Sequence, residues 1–272
     1  MTESALEGQW ALILGASSGF GAATALALAE AGMHIAGVHL DRQATMPNVE
    51  RLVQTIEETH GRQALFRNMN AANEGKRRQF LDDLCNHLRG SGGPTSVRVL
   101  LHSLAFGTLG PYVARNAGDS SLTQRQLEMT LDVMANSIVY WTQDMLGRAL
   151  LGAGSKIYGM TSAGDARVIP NYGAVSAAKA ALGSHIRQLA AELAPMGIAA
   201  NAIKAGITDT PALERIPGSD RLIEFARAHN PSGRMTEPLD VGHTIVQLSI
   251  NDSHWLTGNT INVDGGEDIA AI

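Results

Sequence analysis

The sequence lacks the features that mark disulfide-rich, membrane-spanning and nucleic-acid-binding proteins. It has one cysteine, Cys85, so no disulfide can form within the chain, and a reducing compartment is compatible. A formal net charge of -5 provides no field that would hold a polyanion, so we expect no nucleic-acid partner. No apolar run reaches the roughly 18 residues that a membrane span needs, so we expect no membrane association.

The amino-terminal stretch MTESALEGQWALILGASSG also lacks a basic segment before its apolar run. A secretory signal would carry one, so we expect a cytoplasmic protein. No repeat of about 20–50 residues and no low-complexity linker divides the chain. What the sequence does have is 44% hydrophobic residues among 272, which is enough for one sizeable core. We therefore expect residues 1–272 to form one domain, with no metal site.

Short β-type runs alternate with longer helical patterns along the chain. The predicted strands are WALILGA, HIAGVHL, QALFRNM, SVRVLLHS, SKIYGMTS, IAANAIKAG and NTINVDGG. The predicted helices are FGAATALALAEAG, which ends at Gly32, NVERLVQTIEETHG, KRRQFLDDLCNHLRG, about Leu122–Leu151, and Tyr172–Ala194. Interleaving of this kind predicts an α/β fold, a Rossmann-type doubly wound sheet of about seven parallel strands with helices on both faces.

The stretch GASSGFG lies directly between the first predicted strand and the first predicted helix. A glycine triplet also occurs in ordinary turns, but strand, turn and helix together predict a dinucleotide site. The first glycine allows a tight turn, and the later ones let the backbone and the helix approach a pyrophosphate at the helix N-terminus. The predicted cofactor-binding residues of this loop are Gly15, Ser17, Ser18, Gly19, Phe20 and Gly21.

The choice between the two nicotinamide cofactors depends on VHLDRQ, at the end of the second strand. An acidic side chain there binds the ribose hydroxyls of NAD, whereas a basic one accepts the 2′-phosphate of NADP. Asp41 favours NAD, but His39 lies at the very end of the strand and Arg42 follows. We expect NADPH, bound through Arg42 and His39, with NADH as the alternative. Arg42 as a plain surface cation is the other interpretation.

The stretch PNYGAVSAAK separates a tyrosine, Tyr172, from a lysine, Lys179, by seven positions on a predicted helix. Separations of four and seven put two side chains about 40° and 20° apart around a helix, so both share a face. The axial distances differ, at about 6 Å and 10.5 Å. If the lysine binds the cofactor ribose, the longer spacing carries the phenol about 4.5 Å further along the helix.

This displacement suits an enoyl thioester better than a carbonyl. Carbonyl reduction puts hydride on the carbon that bears the oxygen, whereas enoyl reduction puts it on the β-carbon, two carbons from the thioester oxygen that becomes negative. A donor that stabilises this enolate should lie further from the nicotinamide. The alternative is structural: Tyr172 is a half-buried aromatic at a helix start, and Lys179 a solvated side chain.

These motifs, together with Asn136 and the VDGG stretch near the carboxyl end, resemble the short-chain dehydrogenase/reductase family over essentially the whole chain. The tyrosine–lysine spacing, LHSLAFG and RVIPNY are similar to its divergent branch, the bacterial enoyl-acyl-carrier-protein reductases. GITDTPALERIPGSDRLIEFARAHNPSGRM is similar to the substrate loop of the NADPH-dependent form found in bacilli. The resemblance implies fatty acid biosynthesis and a homotetramer.

The resemblance also implies roles at matching positions. Tyr172 and Lys179 would be the catalytic pair. The implied cofactor-lining residues are Ser103, Leu104 and Ala105, then Asn68 and Met69 beside the adenine, and Gly206, Ile207 and Thr208 at the nicotinamide or pyrophosphate. The best-known form of this branch has a second tyrosine at the position of Ser162, whereas the bacillus-type form has a serine there. Ser162 either donates to the substrate carbonyl or caps local backbone.

Residues 206–235 are predicted to form a substrate-binding lid, because a proline- and glycine-bounded segment carries the amphipathic helix RLIEFARAH. Its apolar side would cover a tunnel. Three arginines of the lid segment would steer an acidic acyl carrier protein: Arg215, Arg221 and Arg227. The alternative is that they are ordinary charged residues on a solvent-exposed face.

The leading hypothesis is NADPH-dependent reduction of a trans-2-enoyl thioester on acyl carrier protein or coenzyme A. The alternatives are a carbonyl or enone reductase of specialised metabolism and a non-catalytic dinucleotide sensor.

Overall fold

The computed structural model describes residues 5–114, 116, 118–216 and 218–270. The strands are β1 (Trp10–Leu14), β2 (His34–His39), β3 (Ala64–Asn68), β4 (Val97–His102), β5 (Lys156–Ser162), β6 (Ala199–Ala205) and β7 (Thr260–Val263). The α-helices are α1 (Gly19–Glu30), α2 (Met46–Gln54), α3 (Glu74–Gly90), α4 (Gln124–Leu131), α5 (Ser137–Leu146), α6 (Gly173–Leu193), α7 (Ser219–His229) and α8 (Pro238–Ser249).

The strands form one sheet in the order β3-β2-β1-β4-β5-β6-β7, and every neighbouring pair is parallel. The order changes direction between β1 and β4, so the loops after these two strands diverge and leave a crevice at the carboxyl ends of the strands. Leu14 at the end of β1 lies opposite both Val38 of β2 and His102 of β4. The predicted fold class, a Rossmann-type doubly wound sheet, is confirmed.

The sheet has a hydrophobic core on each face because successive side chains of a buried strand point to opposite sides. In β1, Leu12 and Leu14 belong to one core, and Ala11 and Ile13 belong to the other. The first core is covered by α3, α5 and α6, and the second by α1 and α8.

The predicted helix Leu122–Leu151 was too long and too regular. A capping box, in which Thr123 and Gln126 exchange side-chain and backbone hydrogen bonds, starts α4 at Gln124. A π-helical turn then covers Asp132–Asn136, and α5 ends at Leu146. Ala149 has a left-handed backbone with a φ of 57°, which an α-helix cannot contain.

No helix among the described residues combines the length and the hydropathy needed to cross a bilayer. The same residues contain no group of three or more His, Cys, Asp or Glu side chains placed to hold a metal ion. Cys85 is a buried free thiol on α3 whose pKa is raised by burial.

Candidate active site

The glycine loop between β1 and α1 is folded so tightly that Gly15 and Gly21 cannot carry a side chain. Gly15 and Gly19 have left-handed backbones, with φ of 89° and 51°. A β-carbon at Gly15 would lie 2.3 Å from the Ser103 carbonyl oxygen, and one at Gly21 would lie 2.0 Å from the Gly15 carbonyl oxygen. The loop therefore needs glycine at these positions for steric reasons.

The N-terminus of α1 has the properties of an anion site. Ser18 is its N-cap residue, but the Ser18 side chain makes no capping hydrogen bond, and the first turn contains no acidic residue. The amide groups and the positive end of the helix dipole therefore face the loop without a competing carboxylate. Phe20 is partly buried and packs against the core beneath α1. These observations fit a dinucleotide pyrophosphate.

The end of β2 carries a hydrogen-bonded group rather than a free basic pocket. His39 is buried, and its Nδ1 atom lies 3.0 Å from Oδ2 of Asp41. Burial alone would raise the pKa of the Asp41 carboxyl, but hydrogen bonds with Ser17, Thr45 and His39 hold it below the usual value. Because Ser17 belongs to the glycine loop, the Asp41 carboxylate faces the predicted cofactor groove. Arg42 is exposed.

The end of β3 supports this group from the side. The Asn68 side chain accepts the Asp41 N–H at 3.1 Å and donates to the Asp41 carbonyl oxygen at 2.9 Å. Met69 is buried, and its N–H donates to the His39 carbonyl oxygen at 2.7 Å. Both residues predicted beside the adenine therefore lie next to the end of β2.

The loop after β4 forms the opposite wall of the crevice. The Ser103 N–H donates to the Leu14 carbonyl oxygen at 2.8 Å, which fixes the loop against β1. Leu104 is half-buried against the core, and Ala105 is exposed beyond it. The Leu104 carbonyl oxygen accepts a hydrogen bond from Nζ of Lys179 at 3.3 Å. The Ser103–Ala105 segment therefore joins the glycine loop to the predicted catalytic lysine.

Lys179 is a buried lysine on α6 without an ion-pair partner among the described residues. Only 5% of its surface is exposed, and its Nζ atom donates to the Met160 carbonyl oxygen at 2.6 Å. Burial lowers its pKa to about 8, and the charge of Asp165 acts in the opposite direction. The ammonium group is therefore held by backbone oxygens and loses its proton near pH 8 rather than at the usual value.

Tyr172 is the N-cap residue of α6, so the helix begins one residue later than predicted. Its hydroxyl oxygen lies 3.5 Å from that of Ser162 on β5. Burial raises the pKa of the Tyr172 phenol, a hydrogen bond with Ser162 lowers it, and Asp165 adds to the rise. Ser162 also accepts the Gly164 N–H at 3.2 Å. Ser162 therefore caps local backbone and faces the tyrosine as well.

The segment after β6 lies on the other side of Ser162, because Ser162 and Ala205 are register partners. The Thr208 hydroxyl donates to the Gly206 carbonyl oxygen at 2.9 Å. Further along, a β-carbon at Gly19 would lie 3.5 Å from the Thr210 methyl group. The segment therefore runs from the predicted catalytic residues to the glycine loop.

Four predicted groups of residues lie around one crevice: the glycine loop, the tyrosine–lysine pair, Ser103–Ala105 and Gly206–Thr208. Asn136 points elsewhere: its Oδ1 atom lies 3.1 Å from Nε2 of His185 on α6. Arg42 is at the rim, in solvent.

Sequence reasoning missed three residues of the crevice. Asp165, whose carboxylate accepts the Thr161 hydroxyl at 3.1 Å, is close enough to influence both catalytic candidates. His102 is fully buried at the end of β4, with Nε2 2.9 Å from the Ser137 hydroxyl; burial lowers its pKa to about 3. Glu267 accepts the Ile207 N–H. Only His102 had a local signal, since it directly follows the apolar run Val99–Leu101 at the end of β4.

Comparisons with known proteins agree with this geometry. The chain is 28% identical over 267 residues to the enoyl-[acyl-carrier-protein] reductase [NADH] FabI of Aquifex aeolicus, covering 98% of this chain and 94% of the relative. It is 27% identical over 275 residues to the (2S)-[(R)-hydroxy(phenyl)methyl]succinyl-CoA dehydrogenase subunit BbsD of Thauera aromatica, covering 98% and 99%.

Among solved structures, the Bacillus cereus enoyl-acyl carrier protein reductase with NADP+ and indole naphthyridinone matches with a TM-score of 0.85. The match covers 99% of this chain and 100% of that chain at 22% identity, which supports the fold alone. A family model described as enoyl-(acyl carrier protein) reductase matches residues 15–267, from the glycine loop to Glu267. The chain therefore belongs to the enoyl-(acyl carrier protein) reductase family of the short-chain dehydrogenase/reductases, and is a nicotinamide-dependent oxidoreductase.

Proposed function

We propose that the protein reduces the 2,3 double bond of a trans-2-enoyl thioester, carried on acyl carrier protein or coenzyme A, in fatty acid biosynthesis. The observation that carries this proposal is the arrangement of Tyr172 and Lys179 against one strand. The tyrosine hydroxyl lies at Ser162 and the lysine Nζ at the carbonyl of Met160, two residues earlier on β5. The full-length match to the Aquifex aeolicus reductase supports the same reaction.

The residues that would hold the cofactor follow from the fit of the crevice. The α1 N-terminus and the Ser18 hydroxyl would bind the pyrophosphate, Ser103–Ala105 and Gly206–Thr208 would line the dinucleotide, and Lys179 would donate to the ribose. When bound, the reduced dinucleotide supplies the hydride. Tyr172 and the walls of the crevice then determine where on the substrate charge can accumulate.

Tyr172 is the donor to the thioester oxygen. Because burial raises its pKa, the phenol keeps its proton at neutral pH and can donate a hydrogen bond as the oxygen becomes negative. Lys179, with a pKa of about 8, is mainly an ammonium at pH 7 and adds positive charge to the same region. The Ser162 hydroxyl is a second donor beside the phenol.

NADPH remains our predicted cofactor, with NADH as the alternative. Arg42 is the exposed cation that would pair with a 2′-phosphate, whereas the Asp41 carboxylate beside Ser17 acts against one. His39 contributes less than we expected from the sequence, because it is buried and its Nδ1 atom is engaged by Asp41. The NADPH proposal therefore requires that the attraction between Arg42 and the 2′-phosphate exceed the repulsion by the Asp41 carboxylate.

The proposed lid is residues 206–235, within the single domain. Its helix α7 turns Ala226 inward, with Leu222 and Ile223 half-buried, as a cover for an acyl chain requires. The arginines proposed to steer an acidic acyl carrier protein are all exposed: Arg215, Arg221 and Arg227. The homotetramer and the cytoplasmic location stay predictions.

A carbonyl or hydroxyacyl substrate is the second candidate. The Thauera aromatica relative is named as a dehydrogenase of a hydroxyacyl-CoA, and the Ser162–Tyr172 pair would serve a carbonyl oxygen as well. A non-catalytic sensor is disfavoured because the tyrosine and the lysine are both present and both buried.

The test is oxidation of NADPH and of NADH with crotonyl and acetoacetyl thioesters under steady-state conditions. The proposal predicts turnover with the crotonyl thioester and little with the acetoacetyl thioester. Turnover with the acetoacetyl thioester alone would reject it in favour of the second candidate. Tight cofactor binding without turnover on either thioester would indicate the sensor.

A further inference from the structure

The turn that follows β7, residues 264–268, lies against the start of the proposed lid and against its end. We call it the C-terminal turn. At the end of the lid, the Asn230 amide donates to the Asp264 carbonyl oxygen at 2.8 Å, and the Ser232 hydroxyl donates to the Gly265 carbonyl oxygen at 2.9 Å. At the start of the lid, the turn makes its contact through one side chain, Glu267.

Glu267 accepts the backbone N–H of Ile207 with both carboxylate oxygens, at 3.1 and 3.2 Å. The carboxylate also packs against Gly206, the residue before Ile207. A β-carbon at Gly206 would lie 3.1 Å from Oε2 of Glu267 and 2.4 Å from the hydroxyl oxygen of Thr236. The backbone at the start of the lid is therefore held at Gly206 by the Val263 carbonyl oxygen, which accepts the Gly206 N–H at 3.2 Å, and at Ile207 by Glu267. The space around Gly206 fits only glycine.

The surroundings of Glu267 are polar but crowded. Burial raises its carboxyl pKa and Asp264 adds to the rise, while the Ile207 N–H, Asn230 and Arg167 act in the opposite direction. The other two carboxylates of the turn are engaged elsewhere: Asp268 pairs with Lys204 at 2.8 Å and with Arg167 at 2.7 Å. Asp264 accepts the N–H groups of Gly266 and Asp268, so neither carboxylate is free to replace Glu267 as the acceptor.

The position of this contact links it to the cofactor crevice. Ile207 lies between Gly206 and Thr208, in the segment that reaches the glycine loop at Thr210 and Gly19. The Gly206–Thr210 segment is fixed at one end, where it leaves the sheet. A rotation of the peptide plane at Ile207 would therefore shift the rest of the segment relative to the glycine loop. The Ile207 N–H lies in this peptide plane, so its hydrogen bond to Glu267 fixes the orientation of the plane.

We propose that Glu267 is a positioning residue for the dinucleotide: by holding the Ile207 N–H it sets the segment from Gly206 to Thr210 over the glycine loop. This inference rests on the proposed function, in that the dinucleotide must lie along this crevice. The role needs an acceptor of the length of Glu267 and does not need its charge.

The test compares three substitutions at this position by fluorescence titration of NADH and NADPH. Glu267→Gln keeps an acceptor of the same length, whereas Glu267→Asp keeps the charge but is one methylene too short, and Glu267→Ala removes the acceptor. We expect the dissociation constant to rise about tenfold or more for the Asp and Ala variants and to stay within about threefold for Gln. Asp268→Asn, in the same turn but without contact to Ile207, is the control and should bind as wild type.

The response to pH separates the acceptor from the charge. Protonated Glu267 still has a carbonyl oxygen that can accept the Ile207 N–H, so cofactor affinity of the wild type should stay within about threefold as the pH falls toward the raised pKa of Glu267, as it should for Glu267→Gln. A loss of affinity in the wild type alone would show that the charge is required and would overturn the inference. If the Asp and Ala variants bind both cofactors as wild type and differ only in melting temperature, the inference is wrong. If the wild type binds neither cofactor, the inference and the proposed function both fail. If it binds them without reducing enoyl thioesters, only the proposed function fails, and the affinities still decide the inference.

Discussion

Lys179 donates a hydrogen bond to the carbonyl oxygen of Met160 at 2.6 Å, two residues before the serine that faces Tyr172. This contact holds a buried ammonium whose pKa burial lowers to about 8. A base with a lowered pKa is charged below that value and neutral above it. If the cation is the active form, kcat/KM for an enoyl thioester should fall as the pH rises through about 8. A pH–rate profile from about pH 6 to about pH 10 checks this, and a level profile would contradict it.

The same lowered pKa predicts a dependence of stability on pH. Between the folded value of about 8 and the usual value of 10.5, the unfolded chain binds more protons than the folded one at Lys179. The free energy of unfolding should therefore rise with pH across this window. Lys179→Met, which keeps the length of the side chain without the charge, should lose this rise. Urea unfolding of both proteins at about pH 7.5 and about pH 10 measures the difference; parallel changes in both would count against it.

Tyr172→Phe should lower kcat by about 10²–10⁴-fold while leaving the dissociation constant of the cofactor unchanged, because it removes only the proton donor. Tyr140→Phe is a matched control, since its hydroxyl donates to Asp132 at 2.9 Å rather than facing Ser162. Steady-state rates and fluorescence titration provide the two quantities. Equal losses in the two variants would mean that the Tyr172 hydroxyl has no special part in the reaction.

Cofactor preference should respond in opposite directions to two neighbouring substitutions. Asp41→Asn removes a carboxylate from the groove beside Ser17, so the ratio of kcat/KM for NADPH to that for NADH should rise about tenfold. Arg42→Ala should lower the same ratio if Arg42 is the phosphate ligand. An unchanged ratio in Arg42→Ala would remove the basis for NADPH.

Gly21→Ala should abolish or strongly weaken cofactor binding, because its β-carbon would lie 2.0 Å from the Gly15 carbonyl oxygen. Opening the turn to relieve this contact costs about 1–3 kcal/mol of stability, as overpacking usually does. Gly90→Ala, at the end of α3 with open space around it, should be neutral or slightly stabilising. Melting temperatures and NADH titrations of the two variants test the contrast, which fails if both bind alike.

The sequence was sufficient for those parts of the site that depend on local pattern. The glycine loop was predictable because GASSGFG lies directly between a strand and a helix, and the tyrosine–lysine pair because both residues belong to one predicted helix. The sequence pointed to Asp41 but not to its hydrogen bonds with Ser17 and His39, because these depend on how the end of β2 packs against the glycine loop.

Residues brought in from distant parts of the chain could not be predicted in the same way. Glu267 reaches Ile207 across 60 positions, and nothing in the stretch VDGGED marks one carboxylate as an acceptor for a particular N–H. Asp165 lies close to Tyr172 in the sequence, but its influence on Lys179 arises only when β5 and α6 pack together. The division of Leu122–Leu151 into two helices depends on the π-helical turn at Asp132–Asn136, which the periodicity of the sequence does not mark.

Since all neighbouring strands are parallel, no pair in the sheet can form through a tight hairpin. The central pair, β1 and β4, must meet across more than eighty intervening residues before the crevice exists at all. Folds dominated by such distant pairings reach the native state slowly, and unpaired strand edges are exposed to other molecules in the meantime. Refolding yield after dilution from denaturant should therefore decline as the protein concentration is raised.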